Sequence, residues 1–375
     1  MLERVMDLAR SISNPYVSGW KASGRPVIGY VCSYIPRELI RAAGAVPYRI
    51  RSGGSYETDL ADGFMARITC SFCRSCLDLG LRGEYAFLDG LVSMNTCECM
   101  RRMCDNWRHK LNPGFFHYVS VPYKSNAAAV QWFAEELKIL AGRLGDFLGT
   151  AVTEEKMRES VRLYDEMRRL IRELYALRRD RTRSLCGAEV QALVALSSSM
   201  PVEDYIGLLQ ATIHSASMEE RTTESRLRVM LIGNCLDDLS YTEFIESLGA
   251  AIVADVSCFG VLTVWDDIGC GGDPFEGIAT SYLGRTTCPR MPQTETKRLE
   301  LIRQMARDHD VDGIIFERMM YCTLWSGETM WLKRDLRELD IPLLILDREY
   351  TLHGTGQDKT RIEAFLEMIG GGKRG

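Results

Sequence analysis

Thirteen cysteines stand in this chain of 375 residues, and their grouping points to chemistry before anything else does. Cys70, Cys73 and Cys76 fall together in TCSFCRSC, and Cys97, Cys99 and Cys104 in TCECMRRMC. Cys32, Cys235, Cys258 and Cys322 each follow an apolar run. An odd number of thiols without an export signal disfavours a disulfide framework, because reduced compartments keep thiols free. Three or four thiolates from separate loops suit an iron–sulfur cluster, whose potential the protein tunes by charge, burial and hydrogen bonding. An iron left without a protein thiolate would be open to substrate or water. A zinc site on the C-x-x-C-x-x-C and C-x-C thiols is a second reading, although zinc ribbons usually supply compact paired knuckles. Buried, inert thiols are a third, and Cys186, Cys270 and Cys288 fit it best. A helix N-terminus, with Arg101 and Arg102 nearby, is expected to lower the thiol pKa at Cys97 and favour thiolate. Five histidines without informative spacing give no cysteine–histidine nucleophile.

Positioning such thiols requires a framework, and the apolar pattern supplies one. Runs with strand character occur at 27–31, 46–50, 87–93 and 115–121, and again at 228–232, 250–255, 313–317 and 342–347. Helical patterns occupy 36–43, 70–81, 100–110, 241–248, 296–308, 329–339 and 360–368. Strands alternating with helices imply βαβ units and parallel sheets. The two sets follow one plan, as in an internal duplication. VIGYVC and AAGAVPYRI in the first correspond to VMLIGNC and SLGAAIVAD in the second, and LDGLVSMNTC corresponds to VDGIIFERMMYC. The expected division is an N-terminal α/β lobe at 1–126, a mainly helical segment at 127–224 and a C-terminal α/β lobe at 225–375. Ligands of open α/β sheets bind beyond the carboxyl ends of the strands, which is where Cys32, Cys97, Cys235, Cys258 and Cys322 fall. Cys97 and Cys322 hold equivalent places, so two facing lobes could bring them together.

Composition narrows the classes. Hydrophobic residues at 46% and charged residues at 26% are ordinary for a globular chain with a substantial core. A net charge of −5 gives no reason to expect nucleic acid or an anionic membrane as partner. No apolar run nears the ~20 residues of a bilayer span, and the N-terminus lacks a signal-peptide core, so the expected location is the cytoplasm. The arginine run Arg168, Arg169, Arg172, Arg178, Arg179, Arg181 and Arg183 reads as a solvated helix face or as a docking surface for an acidic partner.

Several motifs together carry a resemblance. CSYIPRELIRAAGAVPYRI, ITCSFCRSCLDLGLRG, GLVSMNTCECMRRMCDNW, YDEMRRL, LGAAIVADVSC, DGIIFERMMYC and LDREYTLHGTGQDKTRIEAF occur in this order over nearly the whole chain. The sequence resembles the 2-hydroxyacyl-CoA dehydratase and benzoyl-CoA reductase subunits, a group that includes the double-cubane cluster proteins. The resemblance implies two Rossmann-like α/β lobes with parallel sheets and a helical insertion between them. It also implies an iron–sulfur cluster, 4Fe–4S in the simplest case, held by the equivalents of Cys70, Cys97 and Cys322. An ATP-dependent activator protein with its own cluster would deliver a low-potential electron. The substrate would be a 2-hydroxyacyl-CoA to be dehydrated or an aromatic acyl-CoA to be reduced, and the subunit would work as a homodimer or heterodimer. No G-x-x-x-x-G-K-[ST] motif is present, so ATP hydrolysis falls to the activator. Cys73, Cys99 and Cys104 depart from the family pattern and are candidate extra ligands. They would fit a double cubane, which would shift the activity towards reduction of small molecules.

Two further features stand out. Gly356, Gln357, Thr360 and Arg361 open the last amphipathic helix, where free N–H groups could hold an anion such as a coenzyme A phosphate, or simply cap the helix. Trp107 and Trp325, close to proposed ligands, are expected to shield the cluster pocket from water.

Overall fold

The computed structural model describes residues 2–182, 185–219, 226–269, 271–285, 289–291, 294–337, 340–350 and 355–371. Among the described residues, eight strands form two four-stranded sheets. The first contains β1 (Val27–Tyr30), β2 (Val46–Arg49), β3 (Gly90–Met94) and β4 (Phe115–Val119), in the order β2-β1-β3-β4. The second contains β5 (Leu227–Gly233), β6 (Ala250–Val256), β7 (Gly313–Met319) and β8 (Leu343–Arg348), in the equivalent order β6-β5-β7-β8. Every pairing is parallel. Strands of this kind are covered on both faces, which is why β1 and β3 are buried at every position and read as short continuous apolar runs.

The repeated Asp-Gly has a structural reason in each half. The Asp89 carboxylate accepts from Val27 N at 2.7 Å, and that of Asp312 accepts from Arg228 N at 2.9 Å. Each aspartate therefore ties the start of the third strand to the start of the first. The glycine that follows must be bare. A Cβ at Gly90 would lie 2.6 Å from the Phe115 Cβ, and one at Gly313 would lie 2.7 Å from the Phe365 ring. The register agrees, with Gly90 opposite Ile28 and Gly313 opposite Val229.

Helices cover both sheets. Ala127–Leu148 and the N-terminal part of Glu154–Leu177 pack in one core with β1, β3, β4 and the helix Pro274–Gly284. The rest of Glu154–Leu177 joins Gly187–Leu196, Val202–Met218 and the N-terminal helix Leu2–Arg10 in a core shared with the second sheet. Helices from the middle of the chain thus contribute to the cores of both sheets.

The arginine run is divided between solvent and packing: Arg169 and Arg179 are exposed, as on a solvated face, while Arg168 and Arg178 are buried. Buried Arg168 pairs with buried Glu38, and Arg172 grips Asp267 with two hydrogen bonds of 2.9 and 2.8 Å. Arg169, Arg179 and Arg181 pair with Glu173, Asp308 and Asp310, and Arg178 is buried. Arg183 lies outside the described residues, as do Cys270 and Cys288.

Candidate functional site: a cysteine cleft between the sheets

In both sheets the chain leaves the first strand for one neighbour and the third strand lies on its other side, so a crevice opens where the connections diverge. The carboxyl ends of β1 and β3 lead to Cys32 and Cys97, and those of β5 and β7 lead to Cys235 and Cys322. The two crevices face one another. Cys70, Cys73, Cys76 and Cys104 are buried in one apolar cluster, against which Cys32, Cys97, Cys99, Cys235 and Cys322 pack partly buried.

Hydrogen bonds fasten this junction. Ser71, which follows Cys70, accepts from Tyr350 N at 2.8 Å, just past β8. The Tyr350 hydroxyl donates to Asp237 at 2.7 Å, and the same carboxylate accepts from Ser52 N and Gly53 N at 2.8 Å each. Phe72 packs edge-on against Tyr350 and Phe259, with centroids 5.5 and 6.0 Å apart. The turn that carries Cys70 is therefore held against the second sheet.

Cys70, Cys97 and Cys322 each stand immediately before a helix: Ser71–Leu81, Glu98–Leu111 and Thr323–Arg337. Cys70 and Cys97 occupy N-cap positions, where the first turn presents unpaired N–H groups. Tyr321 has a left-handed backbone, φ +64°, in the turn from β7 to Cys322. That conformation is costly for a tyrosine and turns the chain sharply before the thiol.

The thiols affect one another. Cys73 hydrogen-bonds Cys70, which holds the Cys70 thiol below its ordinary pKa; the same bond, with burial, drives Cys73 well above it. Burial pushes Cys97 well up, opposed by the Met100 N–H and reinforced by its neighbours Cys322, Cys70 and Cys99. Arg101 and Arg102 do not bring about the lowering expected from sequence. Both are exposed and turned to Glu98, Arg102 at 2.6 Å. Cys99 is half-buried and raised mainly by burial. Cys104 lies deeper, near Ser93 and Cys32, and burial pushes it up to about 12.

Cys235 was expected from sequence as a strand-end thiol but not as one of the cluster ligands. Burial raises it well above the usual range, and its charged neighbours are Cys70, Arg49, Asp237 and Cys322. Its place at the end of β5, matching Cys32 after β1, was the available signal. Among the described residues, the metal-capable side chains with ligand atoms all within 4.8 Å of one another are Glu57, Asp59 and Asp78, and no cysteine triplet is so close. Arg82 pairs with all three acids.

Gly356, Gln357 and Arg361 stand at the start of Gly356–Gly371, a helix whose core contains no thiol among the described residues. Thr355 and Asp358 cap that helix reciprocally, at 3.3 and 3.2 Å, and Arg361 donates to Ile345 O at 2.6 Å. The preceding residues 351–354 are outside the described set. Trp107 packs in the cysteine cluster beside Tyr85, whereas Trp325 packs on Phe316 in the core behind the second sheet.

Comparison with known proteins identifies the family. The sequence model of a family described as 2-hydroxyglutaryl-CoA dehydratase, D-component, matches residues 32–369. A benzoyl-CoA reductase subunit of Thauera aromatica is 26% identical over 312 residues, 81% of each chain. The (R)-phenyllactyl-CoA dehydratase beta subunit of Clostridium sporogenes is 23% identical over 348 residues, 92% of each. The (R)-2-hydroxyglutaryl-CoA dehydratase subunit beta of Acidaminococcus fermentans is 22% identical over 362 residues, covering 93% of this chain and 94% of the relative.

Proposed function

The chain belongs to the 2-hydroxyglutaryl-CoA dehydratase D-component family, and from that premise we propose that it is the iron–sulfur subunit of an enzyme acting on an acyl-CoA thioester. Cys70, Cys97 and Cys322 hold the cluster, which when bound supplies low-potential one-electron transfer. The observation that carries this reading is the convergence of thiols from both sheets on one buried apolar junction. The donor set fits. Thiolates are the usual ligands of such clusters, and helix starts offer N–H groups to their negative charge.

The chain's own residues have definable tasks. Cys73 donates to Cys70 and keeps negative charge on that sulfur. Phe72, Phe259 and Trp107 exclude water from the junction. Tyr350 and Asp237 hold the two sheets in register across it. ATP hydrolysis and electron delivery fall to a separate activator protein, and the subunit designations of the relatives support a companion subunit.

A second reading follows from the additional thiols. Cys73 and Cys99 share the junction with the proposed triad, and Cys235 joins them, which supports a larger, double-cubane cluster and reduction of small molecules. Anaerobic purification with paired iron and acid-labile sulfide analysis tests both. About four irons per chain select the simple cluster and about twice that the larger one. Colourless protein with stoichiometric zinc refutes both.

A further inference from the structure

A second cleft lies beside the cysteine junction and is built from charge rather than sulfur. It is narrow, with a volume of about 20 Å³, and is lined by Arg37, Arg49 and Arg285, with Tyr30, Ser33 and Tyr282 among its hydroxyl groups. The three arginines are only 5%, 6% and 3% exposed. Arg37 donates to Ser197 O at 3.0 Å and Arg49 to Cys258 O, while Arg285 stacks 3.5 Å over the Tyr282 ring. Those contacts leave Arg37 Nη2, Arg49 Nε, and Arg285 Nε and Nη2 without a hydrogen-bond partner among the described residues.

The charges do not balance. Glu38 is the buried carboxylate here, and Arg168, Arg285 and Arg37 all bear on it. It is already engaged by Arg168 and the Tyr282 hydroxyl. Arg49 has no carboxylate partner among the described residues and lies over the Phe259 ring at 3.9 Å. Burying guanidinium charge with donors unfilled is expensive, and guanidinium groups match carboxylate and phosphate oxygens geometrically. The cleft is far too small for a nucleotide, so its unfilled donors suit at most a compact anion.

We propose that this cleft binds a small oxyanion, a carboxylate or a phosphate, on Arg37, Arg49 and Arg285. The proposal does not depend on the cluster reading, because no cysteine contributes to the cleft. Arg49 nonetheless borders both sites, being a close neighbour of Cys235, so an anion seated here lies next to the thiols.

The test is calorimetric titration of the full-length protein at constant ionic strength. The probes are sodium phosphate, sodium succinate and uncharged succinamide. Saturable binding of one phosphate or one succinate per chain, with none of succinamide, is expected. Preference between the two anions identifies the source as phosphate or carboxylate. Failure of both to saturate overturns the proposal. Arg285→Met, checked for native circular dichroism, should weaken the preferred anion by at least about tenfold. Should that variant not fold, Arg49→Gln serves the same purpose. Unchanged affinity in a folded variant of either kind overturns the proposal.

Discussion

The two sheets share strand order and the device of an aspartate that ties the third strand to the first, yet they supply thiols differently. Past β2 the first half places the helix Ser71–Leu81, whose first turns bear Cys70, Cys73 and Cys76. Past β6 the second half places Pro274–Gly284 and Glu295–Asp308, and the first of these packs on the other half of the molecule. Only the switch-point thiols, Cys32 with Cys235 and Cys97 with Cys322, are matched. A duplicated framework thus yields two similar crevices but one asymmetric site, because the connection after the second strand differs between the copies.

The sharpest way to break that picture is to remove one matched thiol from each half. Cys97→Ser and Cys322→Ser should each abolish bound iron in anaerobically purified protein. Near-normal iron in Cys322→Ser with loss in Cys97→Ser would confine the site to one half. Next in size is the buried Glu38–Arg168 pair, which anchors the first half to the helix Glu154–Leu177. Removing one partner of a buried pair costs about 3–5 kcal/mol, so Glu38→Gln should lower chemical stability by that amount.

The same carboxyl gives a pH signature. Burial would raise its pKa, but Arg168, Arg285 and Arg37, with the Tyr282 hydroxyl, hold it at about 2 against an ordinary 4.5. A depressed native pKa contributes stability above the unfolded value that is lost as pH falls towards the native one. Up to ~3 kcal/mol should therefore disappear between pH 4.5 and 2, and Glu38→Gln should lack that component of the acid transition. A smaller effect is expected at the seam. Ser71→Ala leaves the Tyr350 N–H unpaired and should cost ~1–3 kcal/mol in denaturant titrations. Cys186→Ser should change stability by no more than ~0.5 kcal/mol, with iron unaltered. Its thiol stands at the N-cap of Gly187–Leu196, with Glu189 accepting from the Cys186 N–H at 2.9 Å, and serine serves equally at an N-cap.

The eight strands were legible because each is a short apolar run bounded by glycine, proline or aspartate. The Asp-Gly repeat announced the duplication because its two residues each have a positional task. The helix Pro274–Gly284 was not legible: two glycines and a mixed apolar pattern give it little periodicity. The arginine run was legible only in part, for a different reason. The acids that pair with Arg172, Arg179 and Arg181 lie 95, 129 and 129 residues further along, and no local pattern encodes such partners. Arg101 and Arg102 looked like thiol-activating neighbours because they are adjacent in sequence, but helical geometry turned them to Glu98. Cys235 was visible as a strand-end thiol, while its company with Cys70 and Cys322 arises only when the halves pack. The arginine cleft likewise draws residues from distant segments and had no sequence signature.

The Ser71–Tyr350 hydrogen bond also bears on the order in which the protein is made. Tyr350 follows Ser71 by 279 residues, so a chain emerging from the ribosome displays Cys70 and Cys97 long before their clamp or the third proposed ligand exists. If those three residues are the ligands, metal loading would follow synthesis of nearly the whole span between them. A truncated or stalled nascent chain would present naked thiols with nothing to enclose them.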